Sequence, residues 1–258
     1  MINYRRTLKW GLVGLGILIL LTGAGFLLWA GTASGPETAA LRALESGEGV
    51  VVSPGDPLVY QPRKGEPAVG LILYPGGRVD HRSYGPLARR LAAEGYLVAI
   101  PDMPLNLAVF DPDAAGEVIQ AYPQVEAWAV GGHSLGGAMA ARYASTHPGK
   151  VVGLVLWASY PPGGADLSGR DLEVVSIYGT RDGLASPEEV LSARSLLPEQ
   201  AEFVAVEGGN HAGFGYYGTQ RGDLKALTSQ QEQADQVVSA TLGLLKRTAV
   251  RCGPCGDR

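Results

Sequence analysis

The stretch Ala127-Trp128-Ala129-Val130-Gly131-Gly132-His133-Ser134-Leu135-Gly136-Gly137 decides how the rest of the chain is read. It begins with an apolar run suited to a buried strand. Glycines then bracket a serine, and Ala138, Met139, Ala140 and Ala141 follow as good helix formers. The pattern predicts strand, sharp turn, helix. Within it Gly132-His133-Ser134-Leu135-Gly136 has the G-x-S-x-G spacing of a nucleophile elbow. A serine at such a turn is held in a strained backbone conformation with its hydroxyl clear of the chain. Side chains at the two flanking glycines would collide with the neighbouring strand and helix. The N–H groups that open the helix point to where an oxyanion would form. The chain holds 37 glycines, so the spacing alone carries little. Its place between strand and helix carries the reading.

Outward from the elbow, apolar strands alternate with amphipathic helices. Residues 69–74, 96–100, 151–157, 173–178 and 203–206 read as strands, preceded by two short ones at 50–52 and 58–60. Helices are expected at 83–94, 113–121, 187–196 and 228–246, with a short helical pattern at 38–45. Residues 151–157 are almost wholly apolar, as in a strand covered on both faces. This alternation predicts an α/β domain with a mostly parallel sheet and helices on both faces. In such sheets, sites gather at the carboxyl ends of the strands.

Three strand ends carry chemistry. The elbow presents Ser134, a weak nucleophile that needs a general base. The strand at 173–178 runs into Gly179-Thr180-Arg181-Asp182-Gly183, and that at 203–206 into Glu207-Gly208-Gly209-Asn210-His211. The chain order is Ser134, Asp182, His211, each just past a strand. His211 would take the serine proton and Asp182 would orient the imidazole. Of the other histidines, His133 reads as structural, His147 as surface and His81 as a loop residue within reach of substrate. The oxyanion hole needs two N–H donors. Leu135 supplies one. The other is expected from Pro75-Gly76-Gly77-Arg78, with Gly77 first and Arg78 next, since proline has no N–H. Arg78, Tyr160, Phe214 and Tyr216, with Tyr217, are candidate substrate walls.

Residues 69–246 resemble the α/β-hydrolase superfamily. The resemblance rests on Leu73-Tyr74-Pro75-Gly76-Gly77, the elbow, Ser176-Ile177-Tyr178-Gly179-Thr180-Arg181-Asp182-Gly183 and Glu207-Gly208-Gly209-Asn210-His211. Those segments are most similar to the small lidless bacterial group known as fold 5. The resemblance implies the α/β-hydrolase fold, no cap domain and the Ser134–His211–Asp182 assignment. It says little of the substrate, because the fold hosts many chemistries. Pro75 departs from the histidine that many members carry before the oxyanion glycine.

The expected activity is a serine hydrolase acting on a small ester or related acyl compound, without metal or cofactor. Acyl transfer on the same residues and a binding module that has lost its chemistry are the alternatives. Only 14 residues, 158–171, separate the post-elbow strand from the next, and they include Pro161, Pro162, Gly163 and Gly164. No cap fits there, so an open site preferring compact acyl groups without interfacial activation is expected.

The ends of the chain add the membrane. Arg5, Arg6 and Lys9 precede an uncharged run of residues 10–34. This predicts a transmembrane signal anchor at 10–33, residues 1–9 cytoplasmic and the rest exported. A cleaved secretory signal is the alternative, with Gly31-Thr32-Ala33 as its small-residue site. A polar linker is expected at 34–49, the hydrolase domain at 50–248 and a flexible tail at 249–258. The tail carries the only two cysteines, Cys252 and Cys255. A net charge of −4 with no basic stripe argues against nucleic acid as a partner. The sequence does not decide the oligomeric state.

Overall fold

The computed structural model describes residues 4–47 and 49–251. The two cysteines lie outside the described residues, as do the first three positions. An eight-stranded sheet forms the centre, in the order β1-β2-β4-β3-β5-β6-β7-β8. The strands are β1 (Val50–Ser53), β2 (Leu58–Pro62), β3 (Val69–Tyr74), β4 (Leu97–Ile100), β5 (Ala127–His133), β6 (Gly153–Trp157), β7 (Glu173–Gly179) and β8 (Glu202–Val206). The first two pair antiparallel, β2 joins β4 antiparallel, and every pairing from β4 to β8 is parallel.

The period-two alternation of the strands divides the core into two layers. Leu71, Leu73, Ala127, Ala129, Val155 and Trp157 face one side. Helices α3 (Gly85–Ala93) and α7 (Gln230–Arg251) cover it with Leu87, Leu91, Val237 and Leu244. Ile72, Tyr74, Trp128, Val130, Leu154 and Leu156 face the other side. There α4 (Ala114–Ala121) and α5 (Leu135–Thr146) pack through Ala115, Val118, Met139 and Ala140. Gly70 is required by this packing, because a Cβ there would sit inside the Trp128 ring. Helix α6 (Pro187–Ser192) opens with a Ser186/Glu189 capping box, and a 3-10 turn at Ala193–Leu196 continues it. No helix lies between β6 and β7 among the described residues, so that connection builds no cap.

The strand order reverses beside β3, which lies between β4 and β5. The crevice outside the carboxyl ends of β3 and β5 is the topological switch point, the usual ligand position in such sheets. The Gly76–Gly77 loop and the elbow both end there.

Helix α1 (Tyr4–Gly31) precedes the domain. Its segment Trp10–Gly31 has a mean hydropathy of 2.3, is not buried in the protein and is long enough to cross a membrane. The expected linker is in fact stitched to the domain. Ser34 forms a parallel bridge with Val79: its N–H donates to the Arg78 carbonyl at 2.8 Å and its carbonyl accepts from Asp80 N–H at 3.0 Å. Glu37 N–H donates to the Tyr216 carbonyl at 2.8 Å. Helix α2 (Thr38–Arg42) buries Ala40, and Arg89 reaches the carbonyl of Ala43. The short helical pattern at 38–45 forms α2, and the linker's backbone groups find partners on the fold.

Candidate active site

Strand β5 ends at His133, and Ser134 follows at φ 52° and ψ −123°. This is a conformation that a non-glycine residue adopts only when its surroundings impose it. The packing shows what imposes it. A Cβ at Gly132 would lie 2.5 Å from the Gly136 carbonyl carbon, and one at Gly136 would overlap the Tyr74 and Pro75 carbonyl oxygens. The turn is therefore pressed between β3 and the start of α5. The Ser134 carbonyl accepts from Ala138 N–H at 3.1 Å and from Ser159 Oγ at 2.7 Å. Its own Oγ makes no hydrogen bond among the described residues.

The loops after β7 and β8 bring Asp182 and His211 together. Asp182 Oδ2 lies 2.8 Å from His211 Nδ1, and both side chains are buried. Asp182 Oδ1 accepts from Leu184 and Ala185 N–H at 2.8 and 2.7 Å, which fixes the carboxylate plane. His211 Nε2 is buried without a partner. Ser134 Oγ and His211 Nε2, the two atoms that proton transfer would join, are thus free of competing bonds.

Gly77 sits against Leu135. A Cβ at Gly77 would lie 3.1 Å from Leu135 Cδ2. Leu135 opens α5, so its N–H is among those with no partner inside the helix. Gly76 is excluded as a donor because its N–H is given to Tyr84 Oη at 2.9 Å. Arg78 is excluded too: it has φ 58°, and its N–H donates to the Asn106 carbonyl at 2.7 Å. Gly77 N–H makes no bond among the described residues. A cleft of about 610 Å³ opens over Gly77 and Leu135, walled by Trp29, Arg78, Leu107 and Arg221.

His133 is buried behind the elbow. Tyr84 Oη, which accepts from Gly76, donates to His133 Nδ1 at 2.9 Å. The His133 ring stacks on Phe214 and stands 4.5 Å from the His211 ring, centroid to centroid. Burial and the neighbouring His211 hold its pKa well below the usual histidine value, so the ring is neutral.

The expected substrate walls separate on inspection. Arg78 lines the cleft, although its guanidinium is occupied. Phe214 has no exposed surface and supports the histidines from within the core. Tyr216 is half-buried among Arg90, Asp235 and Glu37, on the α3/α7 side of the sheet. Tyr217 is buried, and its hydroxyl donates to Gln220. Tyr160 lies beside Glu189 of α6.

Three residues that sequence reasoning missed organise the site. Asp223 Oδ1 accepts from the N–H groups of Gly183 and His211, and its Oδ2 from Ala212 N–H, which binds the Asp182 and His211 loops together. Gln233 on α7 clasps Asn210 through both the N–H and the carbonyl. Tyr84 joins Gly76 to His133. None of these has a diagnostic spacing. The only hint is an amide side chain on the buried face of α7, Gln233, which is 1% exposed.

With this geometry in place, the comparisons identify the class. A sequence profile described as the alpha/beta hydrolase family matches residues 70–235, and the chain belongs to that family. Solved structures agree on the fold. A protein assigned as a CIB-like hydrolase from Thermoplasma acidophilum is similar at TM-score 0.58 and 15% identity, over 77% of this chain and 100% of its own. An esterase from the planctomycete Thermogutta terrifontis gives TM-score 0.56 and 16% identity over 81% and 95%. A protein assigned as a dienelactone hydrolase from Klebsiella pneumoniae gives 0.56 and 17% over 78% and 100%. No curated protein sequence matches the chain.

Proposed function

We propose that the protein is a serine esterase that works through an acyl-enzyme, anchored by α1 with its hydrolase domain outside the cytoplasm. The observation that carries the reading is the buried Asp182–His211 pair at 2.8 Å, whose free Nε2 accompanies a strained serine with an unbonded hydroxyl. In the first step Ser134 Oγ attacks the ester carbonyl carbon and its proton passes to His211 Nε2. Asp182 supports the imidazolium that results. The carbonyl oxygen, now an anion, takes the N–H groups of Leu135 and Gly77. Collapse breaks the C–O bond, and the alcohol leaves with the proton from His211. Water, deprotonated by the same nitrogen, then releases the acid and restores the serine.

The location rests on Arg5, Arg6 and Lys9 before the span, by the rule that basic flanks stay cytoplasmic. Retention of the anchor is favoured by the bonds that Arg78 makes to Trp29 and Thr32, which cleavage after Ala33 would remove. Labelling of the full-length protein by a fluorophosphonate, together with p-nitrophenyl butyrate hydrolysis, tests the chemistry. Both are expected, and both should vanish in Ser134→Ala. Stoichiometric labelling that persists in that variant would overturn the assignment.

A further inference from the structure

The oxyanion loop and the end of α1 are one structure. The Arg78 guanidinium lies 4.5 Å over the Trp29 ring. Its Nε donates to the Trp29 carbonyl at 3.0 Å, and its Nη2 to the Thr32 carbonyl and hydroxyl, both at 2.8 Å. The last carbonyls of a helix lack intrahelical partners and carry partial negative charge, so a cation there satisfies both needs.

The segment 104–110 leans on the same helix. Phe110 meets Phe26 edge to face at 6.2 Å. Phe26 lies five residues before Gly31, about 7–8 Å deeper at 1.5 Å per residue. If α1 crosses a bilayer, Phe110 stands beside a level inside its apolar span. That depth matches the 5–10 Å to which interfacial segments bury their apolar faces. Leu105, Val109 and Phe110 are 38%, 44% and 51% exposed, and Phe110 meets Phe26, which in turn packs on Trp29. Between them Leu107 turns inward to wall the cleft over Gly77 and Leu135. Leu105 and Asn106 both hold positive φ, 55° each, and the Asn106 carbonyl takes the Arg78 N–H. The segment is thus set by the oxyanion loop. Arg221 also lines the cleft and makes no ion pair among the described residues.

We propose that the cleft opens onto the outer leaflet and that the substrate is an acyl ester of a bilayer lipid with an anionic headgroup. Residues 105, 109 and 110 rest in the leaflet, the acyl chain enters past Leu107, and Arg221 faces the headgroup. This deepens the esterase reading and rests on it. It replaces the expectation of a compact acyl group, which considered the domain's own loops and left out the helix as a wall.

The test uses full-length protein in vesicles of phosphatidylcholine with phosphatidylglycerol. Fatty acid release from phosphatidylglycerol is expected, and Val109→Ser/Phe110→Ser should lower it at least tenfold while p-nitrophenyl butyrate turnover stays within twofold. Butyrate turnover without lipid hydrolysis would overturn this inference and leave the esterase reading standing. Loss of both turnover and fluorophosphonate labelling in the unmodified protein would remove that reading instead. A second measurement does not depend on chemistry. With Cys252 and Cys255 changed to Ser, an environment-sensitive nitrobenzoxadiazole probe is placed at Val109→Cys or, as control, at Lys150→Cys before β6. Quenching by shallow spin-labelled lipid is expected at 109 and not at 150. Equal accessibility of the two probes to water would overturn the proposed docking.

Discussion

The two halves of the proposed site, an acid–base half and an oxyanion half, are held in different ways. The acid–base half is tied entirely within the domain: Asp182 by Leu184 and Ala185, His211 by Asp182 and Asp223, and Asn210 by Gln233. The oxyanion half is held partly from outside the sheet. Arg78, next to Gly77, is clasped by Trp29 and Thr32, and Val79 pairs with Ser34. His133 and Tyr84 form the seam, since Tyr84 bonds Gly76 and the His133 ring faces His211. One half should therefore respond to changes in the domain and the other to changes in the anchor.

The largest effect should come from the chemistry that needs both halves. Ser134→Ala, His211→Ala and Asp182→Asn are each expected to lower kcat by on the order of 10³-fold or more, with doubles no worse than the worst single. Steady-state ester hydrolysis checks this, and full activity in His211→Ala would falsify the assignment.

Next, Asp223→Ala strands four N–H groups, those of Gly183, His211 and Ala212 on the acid–base side and that of Leu224. A stability loss of about 2 kcal/mol is expected, given the usual cost of hydrogen bonds to a charged group. Urea unfolding should show it as a lower midpoint at unchanged slope. Arg78→Met probes the other half and should behave in the opposite way. Its effect is expected in kcat, about tenfold, because a small displacement of an oxyanion donor misplaces charge stabilisation. The urea midpoint should hardly move, since the lost bonds are at the rim. Deleting residues 1–33 should reproduce the Arg78 defect. If that truncation keeps full kcat on a soluble ester, the two halves are equally autonomous and the contrast fails.

The smallest effect lies on the seam. Burial lowers the folded-state pKa of His133 well below 6.5. Below pH 6.5 the unfolded chain therefore binds a proton that the folded one does not, and stability falls as pH drops. One such group contributes a loss of about 0.8 kcal/mol between pH 7.5 and pH 6. Chemical denaturation at the two pH values should show that much less acid sensitivity in His133→Asn.

Much of this was legible in the chain. The strands and the elbow were, because burial on both faces writes continuous apolar runs and a turn this tight admits only glycine at Gly132 and Gly136. Asp182 and His211 were found because each follows its strand within a few residues, so local position stands in for spatial position. The reading erred where backbone found unexpected partners. Residues 34–49 read as a polar linker with a helical pattern at 38–45; that pattern forms α2, and the bonds of Ser34 and Glu37, which the composition did not announce, dock the segment. Phe214 looked like a substrate wall because it follows His211, and it turns inward to stack on His133.

By itself the sequence determined the layer architecture, the order of the candidate site residues and the presence of an apolar span, all properties of periodicity and of steric demand within a few residues. Tertiary structure alone decided which N–H groups remain free at the oxyanion loop, that Asp223 binds two loops, and that Arg78 caps the helix end. The partners in that last contact are 46 and 49 positions apart. Their meeting depends on how α1 leaves the domain, and no local pattern encodes that direction. The strained pair Leu105 and Asn106 is hidden for the same reason. Asparagine adopts positive φ readily but leucine does not, and the Asn106 carbonyl bonded to the Arg78 N–H, with Leu107 packed in the cleft wall, makes that backbone conformation the stable one.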